Sequence, residues 1–110
     1  MQRLMQSYPE MDAVFVGNDQ MALSVLQIAC REGIRVPDDL AVVGFDGITE
    51  SAYYWPPLTT VSQDQRMVGH TAVRELIRRI DLVRSGLADP EPQTFLLQPE
   101  LVVRASSVSR

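Results

Sequence analysis

An α/β fold built on an open, parallel sheet is what this sequence of 110 residues predicts, and three observations predict it. Ala13-Val14-Phe15-Val16-Gly17 and Ala41-Val42-Val43-Gly44-Phe45 are short, Val-rich runs without polar alternation, the pattern of parallel strands covered on both faces. Each runs into small polar residues, Asn18-Asp19 and Asp46-Gly47, and in open α/β sheets ligands bind outside the carboxyl ends of the strands. Stretches of helical period lie between the extended segments and are closed by Gly33 and Gly86.

The length fits one domain but is short for a doubly wound fold, so half of a binding cleft is an expectation from the outset. With 45% hydrophobic and 22% charged residues the composition is that of a soluble globular protein. The sequence holds no apolar stretch of membrane-spanning length and no secretory signal at Met1 to Glu10, so a cytoplasmic location without membrane contact is expected. A net charge of −4, with all 10 basic residues Arg, lacks the basic stripe of a duplex-binding surface, even though Arg74, Arg78 and Arg79 cluster on one predicted helix. Cys30 is the only cysteine, which excludes an internal disulfide and a multi-Cys metal site; it reads as a small buried hydrophobe, and no metal or cofactor is expected.

Taken in order, Met1, Leu4, Met5 and Tyr8 share one helical face ahead of Pro9, which gives a short first helix feeding the first strand. Asn18 or Asp19 caps a second helix running to Glu32, with Ala22, Val25, Leu26 and Ala29 as its sheet-facing stripe. Met21, Leu23, Ile28 and Cys30 spread apolar surface around the rest of it, more than its own sheet needs, so a subunit interface is expected to cover them. Pro37-Asp38-Asp39 marks a turn before the second strand. Gly47 to Pro57 shows no clean period and concentrates Tyr53, Tyr54 and Trp55, which suits an interface or a cleft rim, or a loop packed on its own domain. Leu58 to Val61 is extended, and Asp64 caps a long helix whose stripe is Gly69, Ala72, Val73, Leu76, Ile77, Ile80 and Val83, with Glu75 and Arg79 spaced for an ion pair. Asp89-Pro90-Glu91-Pro92 reads as a stiff connector, Thr94 to Leu97 and Leu101 to Arg104 as short strands, and the Ser-rich end as a fraying tail.

Four signatures occur together and in order: Val16-Gly17-Asn18-Asp19-Gln20-Met21-Ala22-Leu23, Val43-Gly44-Phe45-Asp46, Pro57-Leu58-Thr59-Thr60-Val61, and Leu97-Gln98-Pro99-Glu100-Leu101-Val102-Val103-Arg104. From about Met11 to Ser107 the chain resembles the C-terminal part of a bacterial transcription regulator of the lactose-repressor (LacI/GalR) family. The resemblance implies the C-terminal subdomain of a type I periplasmic-binding-protein-like effector domain, present incompletely, without the helix-turn-helix headpiece. It divides the chain into residues 1–62, a portion of the C-terminal effector subdomain; 63–98, a crossover helix and strand of the N-terminal subdomain; and 99–110, a return strand and frayed tail.

A carboxylate at a strand tip can accept bonds from two sugar hydroxyls, and an Asn beside it both donates and accepts. On residues alone, Asn18 and Asp46 could equally satisfy turn and helix-start backbone groups. The resemblance makes Asp46, Asn18 and Gln63 effector-binding, whereas Asp19 reads as structural because a helix cap would satisfy its chemistry fully. It also implies a homodimer, with Leu23 and Tyr54 near the centre of the two-fold contact and Met21 and Trp55 beside them. One departure is Gly47, where many relatives carry a second acidic residue, and this weakens transfer of any particular sugar.

The expected function is therefore effector sensing and dimerisation in a regulator that binds a small molecule, a carbohydrate by class, and reaches DNA only through a domain outside this chain. A periplasmic sugar-binding protein of a transport system is the alternative. An enzyme is not expected: Asp19, Asp46 and His70 could be imagined as acid, base and orienter, but His70 lies off the apolar stripe of its helix, and no nucleophile elbow or phosphate-cradling loop is present.

Overall fold

The computed structural model describes residues 2–88 and 91–108. In chain order the elements are α1 (Gln2–Ser7), β1 (Ala13–Phe15), α2 (Asp19–Arg31), β2 (Ala41–Asp46), a 3-10 helix (Thr49–Tyr53), β3 (Thr59–Ser62), α3 (Gln65–Arg84) and β4 (Glu100–Val102). One sheet runs β1-β2-β3-β4; the first three strands are parallel and β4 is antiparallel to β3. The α/β class with an open, largely parallel sheet is the predicted one. The chain divides into two units, Met1–Gln63 with Glu100–Arg110, and Asp64–Pro99.

In the first unit the register sets Phe15 beside Val43, Gly44 beside Thr60 and Asp46 beside Ser62, so the ends of the three parallel strands share one edge. The core lies on one face of this sheet. Val42 and Leu58 are fully buried with Leu40, Val16 and the stripe Ala22, Val25, Leu26 and Ala29 of α2, as the helical spacing predicts. Two-sided burial does not hold for β1, an edge strand of three residues whose Phe15 is 62% exposed. On that opposite face Phe15 meets Phe45 edge to face, with ring centres 6.3 Å apart. Cys30 is exposed rather than buried, because α2 turns its Val25 and Ala29 side to the sheet and Cys30 falls outside that stripe.

The predicted turn lies at residues 36–39, fastened by Arg35, whose Nε and backbone N–H both donate to Asp39 Oδ2, at 2.8 and 2.9 Å. The Ser-rich end does not fray through residue 107. Ser106 is fully buried: its carbonyl accepts from Val42 N–H at 2.8 Å, its hydroxyl donates to the Val42 carbonyl at 2.6 Å, and its N–H donates to Pro57 O at 3.0 Å. It occupies ladder positions of β2 ahead of the start of β3, so backbone groups that would be unpaired are satisfied. Ser109 and Arg110 lie outside the described residues.

The second unit is α3 with the segment that follows it. Asp64 caps α3 as predicted, accepting from Met67 N–H at 2.8 Å, and Gly86 at φ +77° follows its end. Glu75 receives Nε of Arg78 at 2.8 Å and of Arg74 at 3.4 Å. Val73, Leu76, Ile77 and Val83 are each more than half exposed, and Thr71 is the buried residue of the helix. Thr94 to Leu97 forms no strand among the described residues, since a strand exists only through a neighbouring ladder and none is paired to it here. A hollow of about 500 Å³ lies within this unit, lined by Val68, Ala72, Leu76, Phe95 and Leu97 among others. Asp89 and Pro90 of the expected connector fall outside the described residues.

Candidate functional site

Asn18, Asp46 and Gln63 stand just beyond or at the carboxyl ends of β1, β2 and β3, three adjacent parallel strands, and so on one edge of the sheet. Asp46 is the last residue of β2 and has φ +104°, the single non-glycine residue with positive φ among the described residues. Asp tolerates that region better than most residues, yet a conformation of this kind costs about 1–3 kcal/mol and persists where surroundings over-determine it. Those surroundings are visible. Gln63 Nε2 donates to Asp46 Oδ1 at 3.3 Å, and Gln63 N–H donates to the Asp46 carbonyl at 3.3 Å.

The residue after Asp46 is held as firmly. Gly47 has φ +72°, and a Cβ there would stand 2.6 Å from Ser62 Cα. Any side chain at 47 would therefore collide with backbone, which gives a physical reason for glycine in place of a second acidic residue. Gly47 N–H donates to Thr60 Oγ1 at 3.3 Å, and Ile48 N–H donates to Asp19 Oδ2 at 2.9 Å.

Asn18 is the N-cap of α2: its Oδ1 accepts from Met21 N–H at 2.8 Å. The backbone-satisfying role open to Asn18 from sequence is thus filled, with the side chain half-buried. Asp19 is no cap. It is fully buried, with Oδ1 accepting from the Thr60 hydroxyl at 2.6 Å and Oδ2 from Ile48 N–H. Gly44 makes the room, since a Cβ there would collide with the Asp19 carboxylate and come within 2.8 Å of Leu58. Sequence reasoning missed Thr60, Ser62 and Gly44 as partners of this edge; the Gly44–Thr60 register could have exposed them, but register is not printed in a single strand.

The periplasmic binding protein-like domain family matches residues 1–107. The HTH-type transcriptional repressor PurR of Aliivibrio fischeri strain MJ11 is 45% identical over 98 residues, 89% of this chain and 28% of that repressor. The PurR repressor of Mannheimia succiniciproducens is 39% identical over 106 residues, 96% of this chain and 30% of that one. The lac repressor dimer bound to operator and the anti-inducer ONPF superposes with TM-score 0.78 at 38% identity, over 98% of this chain and 37% of that chain. The chain belongs to the LacI/GalR family. A CelR–cellobiose complex superposes on it with TM-score 0.83 at 34% identity, covering 96% of this chain and 31% of that chain. A LacI family regulator of Arthrobacter sp. FB24 in complex with lactose does so with TM-score 0.79 at 36% identity, covering 96% and 38%. The chain spans 28% of the length of the first of its curated LacI-family relatives.

Within this LacI-family chain the four residues expected at a dimer contact differ in exposure. Met21 is 58% and Trp55 90% exposed, and Leu23 is also exposed, all three within or beside the segments expected at that contact. Tyr54 is half-buried and packs against the core cluster, so its ring belongs in part to its own domain. Burial pushes its phenol pKa up, and the negative charges of Asp19 and Glu50 push it further. His70 is exposed on α3. Among the described residues no helix is long and apolar enough to cross a membrane, and no cluster of His, Cys, Asp or Glu could hold a metal ion.

Proposed function

We propose that this chain is the effector-sensing and dimer-forming part of a LacI-type transcriptional regulator. Asp46, Asn18 and Gln63 contact a sugar-like effector at the carboxyl edge of the sheet, and Met21, Leu23, Tyr54 and Trp55 lie at a two-fold contact. The observation that carries the site is the strained tip of β2: a carboxylate held at positive φ, within hydrogen-bond reach of Gln63 and on the same sheet edge as Asn18. Strain of this kind gathers where function fixes a side chain, and a carboxylate with an amide beside it suits neighbouring hydroxyls. The hollow beside α3 is the weaker candidate, since its charged lining residues Glu75 and Arg78 are already paired with each other and it lies on the helix whose apolar stripe is bare.

The regulator acts by linkage. An effector that binds one conformation more tightly than another shifts the protein toward it by that difference in affinity, and a dimer passes the shift to DNA-binding heads carried outside this chain. No enzymatic step is assigned. A transport binding protein shares the fold, but the relatives and neighbours named above are repressors and regulators, which favours the regulator.

Titration calorimetry with cellobiose and lactose, on the protein that carries this chain, tests the site. A hydrogen bond to a charged group contributes about 1.5–3 kcal/mol, so Asp46→Ala is expected to weaken binding by about tenfold or more. Parent and variant binding either sugar equally would remove Asp46 from the site.

A further inference from the structure

The geometry points to Asp19 as the positioning residue of the Asp46 turn: its buried carboxylate ties the first turn of α2 to Gly47-Ile48 and thereby holds Asp46 in its positive-φ conformation. This rests on the reading of Asp46 as an effector ligand and adds the device that presents it.

Asp19 is fully buried on the face of the sheet covered by α2, in space that exists because residue 44 has no side chain. Both of its oxygens are committed, and both lead to the same turn: Oδ2 holds Ile48 N–H directly, and Oδ1 fixes the Thr60 hydroxyl, which accepts from Gly47 N–H. A hydroxyl has one proton and lone pairs to spare, so by donating to Asp19 Oδ1 the Thr60 oxygen is left free to accept from Gly47. The two N–H groups that follow Asp46 are thus both anchored to one ionisable side chain 28 or more residues away in sequence, directly or through one hydroxyl.

Helix capping does not explain it, because Asn18 already caps α2. Simple core filling does not explain it either, since an apolar side chain of that size would leave the part-buried Ile48 N–H without its acceptor. The consequence is mechanical: α2 carries Met21 and Leu23 on its exposed side and Asp19 at its buried start, so a shift of its first turn moves the Gly47-Ile48 turn and the carboxylate before it. The helix of the proposed dimer contact and the turn that follows the effector carboxylate are joined by three hydrogen bonds, one direct and two in series through the Thr60 hydroxyl.

Amide hydrogen exchange and backbone chemical shifts of the protein that carries this chain test it without an effector. In Asp19→Asn one carboxylate acceptor becomes a donor, and in Thr60→Val the bridging hydroxyl is lost at equal size. Both variants are expected to speed exchange at Gly47 and Ile48 by about tenfold or more and to move the Asp46 shifts away from positive φ. Thr60→Ser, which keeps the hydroxyl, is expected to behave as the parent, and Val25, Leu26 and Val42 are expected to stay protected in all three. Unchanged exchange at Gly47 and Ile48, or an increase shared equally by Val25, Leu26 and Val42, would overturn the positioning role. Failure of the Asp46→Ala titration with these exchange changes still present would instead remove the effector reading and leave Asp19 as a turn anchor.

Discussion

At the scale of single residues, the proposed function sets stability against ligand binding at the tip of β2. If Asp46 is strained at φ +104° for the sake of a ligand, glycine there relieves the strain, whereas alanine keeps it and lacks the local polar bonds that help Asp adopt this region. Thermal unfolding is expected to find Asp46→Gly at least as stable as the parent and Asp46→Ala less stable by about 1 kcal/mol. Gly47→Ala is expected to cost about 2 kcal/mol or more in denaturant titration, because its Cβ meets Ser62 backbone and φ is +72°. Asp46 and Asn18 were legible in sequence as polar ends of apolar runs. The buried partners were not, since what makes Asp19 a turn anchor is Thr60 in a neighbouring strand and the absence of a side chain at 44. Asn18 shows the opposite limit: helix capping and ligand contact ask for the same residue type, so sequence could not separate them, and the hydrogen bond to Met21 establishes the capping role.

At the scale of elements, the stripe of α2 and the capped start of α3 followed from helical spacing and Asp chemistry alone. The strand at Thr94 to Leu97 did not form, because a run of residues can only be suited to a ladder, and the ladder must be supplied by another strand. The bare stripe of α3 has the same origin: spacing showed which residues seek cover and could not show that cover is lacking in the Asp64–Pro99 unit. The turn at 36–39 gives a prediction of its own. Arg35 holds Asp39 through side-chain and then backbone hydrogen bonds and lowers its pKa from 3.8 to about 2. A depressed carboxylate stabilises the fold above its unfolded pKa, and that contribution is lost as pH falls through 3.8 toward about 2. Asp39→Asn is expected to remove this part of the acid limb in pH-dependent unfolding, and added salt to shrink it, since the pair is exposed. Tyr54 acts at the other end of the scale: its raised pKa means stability falls as pH rises past 10, and Tyr54→Phe is expected to flatten that alkaline decline.

At the scale of the whole molecule, the proposed function makes strand-end chemistry, the helix behind it and the aromatic segment near it one device for sensing a small molecule and passing the result to a partner subunit. The family was legible because four short signatures stand in register, and the sheet order that unites Asn18, Asp46 and Gln63 agrees with it. Dimerisation belongs to this scale as well. Trp55 is almost fully exposed in the single chain, and Leu23→Asp is expected to shift sedimentation of the protein that carries this chain from dimer toward monomer; an unchanged dimer would move the contact elsewhere. The central claim is that the carboxylate at the end of β2 grips the effector. The direct measurement is calorimetric titration of parent and Asp46→Ala with cellobiose and lactose: the account predicts sugar binding by the parent, weakened about tenfold or more in the variant, and identical isotherms for the two proteins would contradict it.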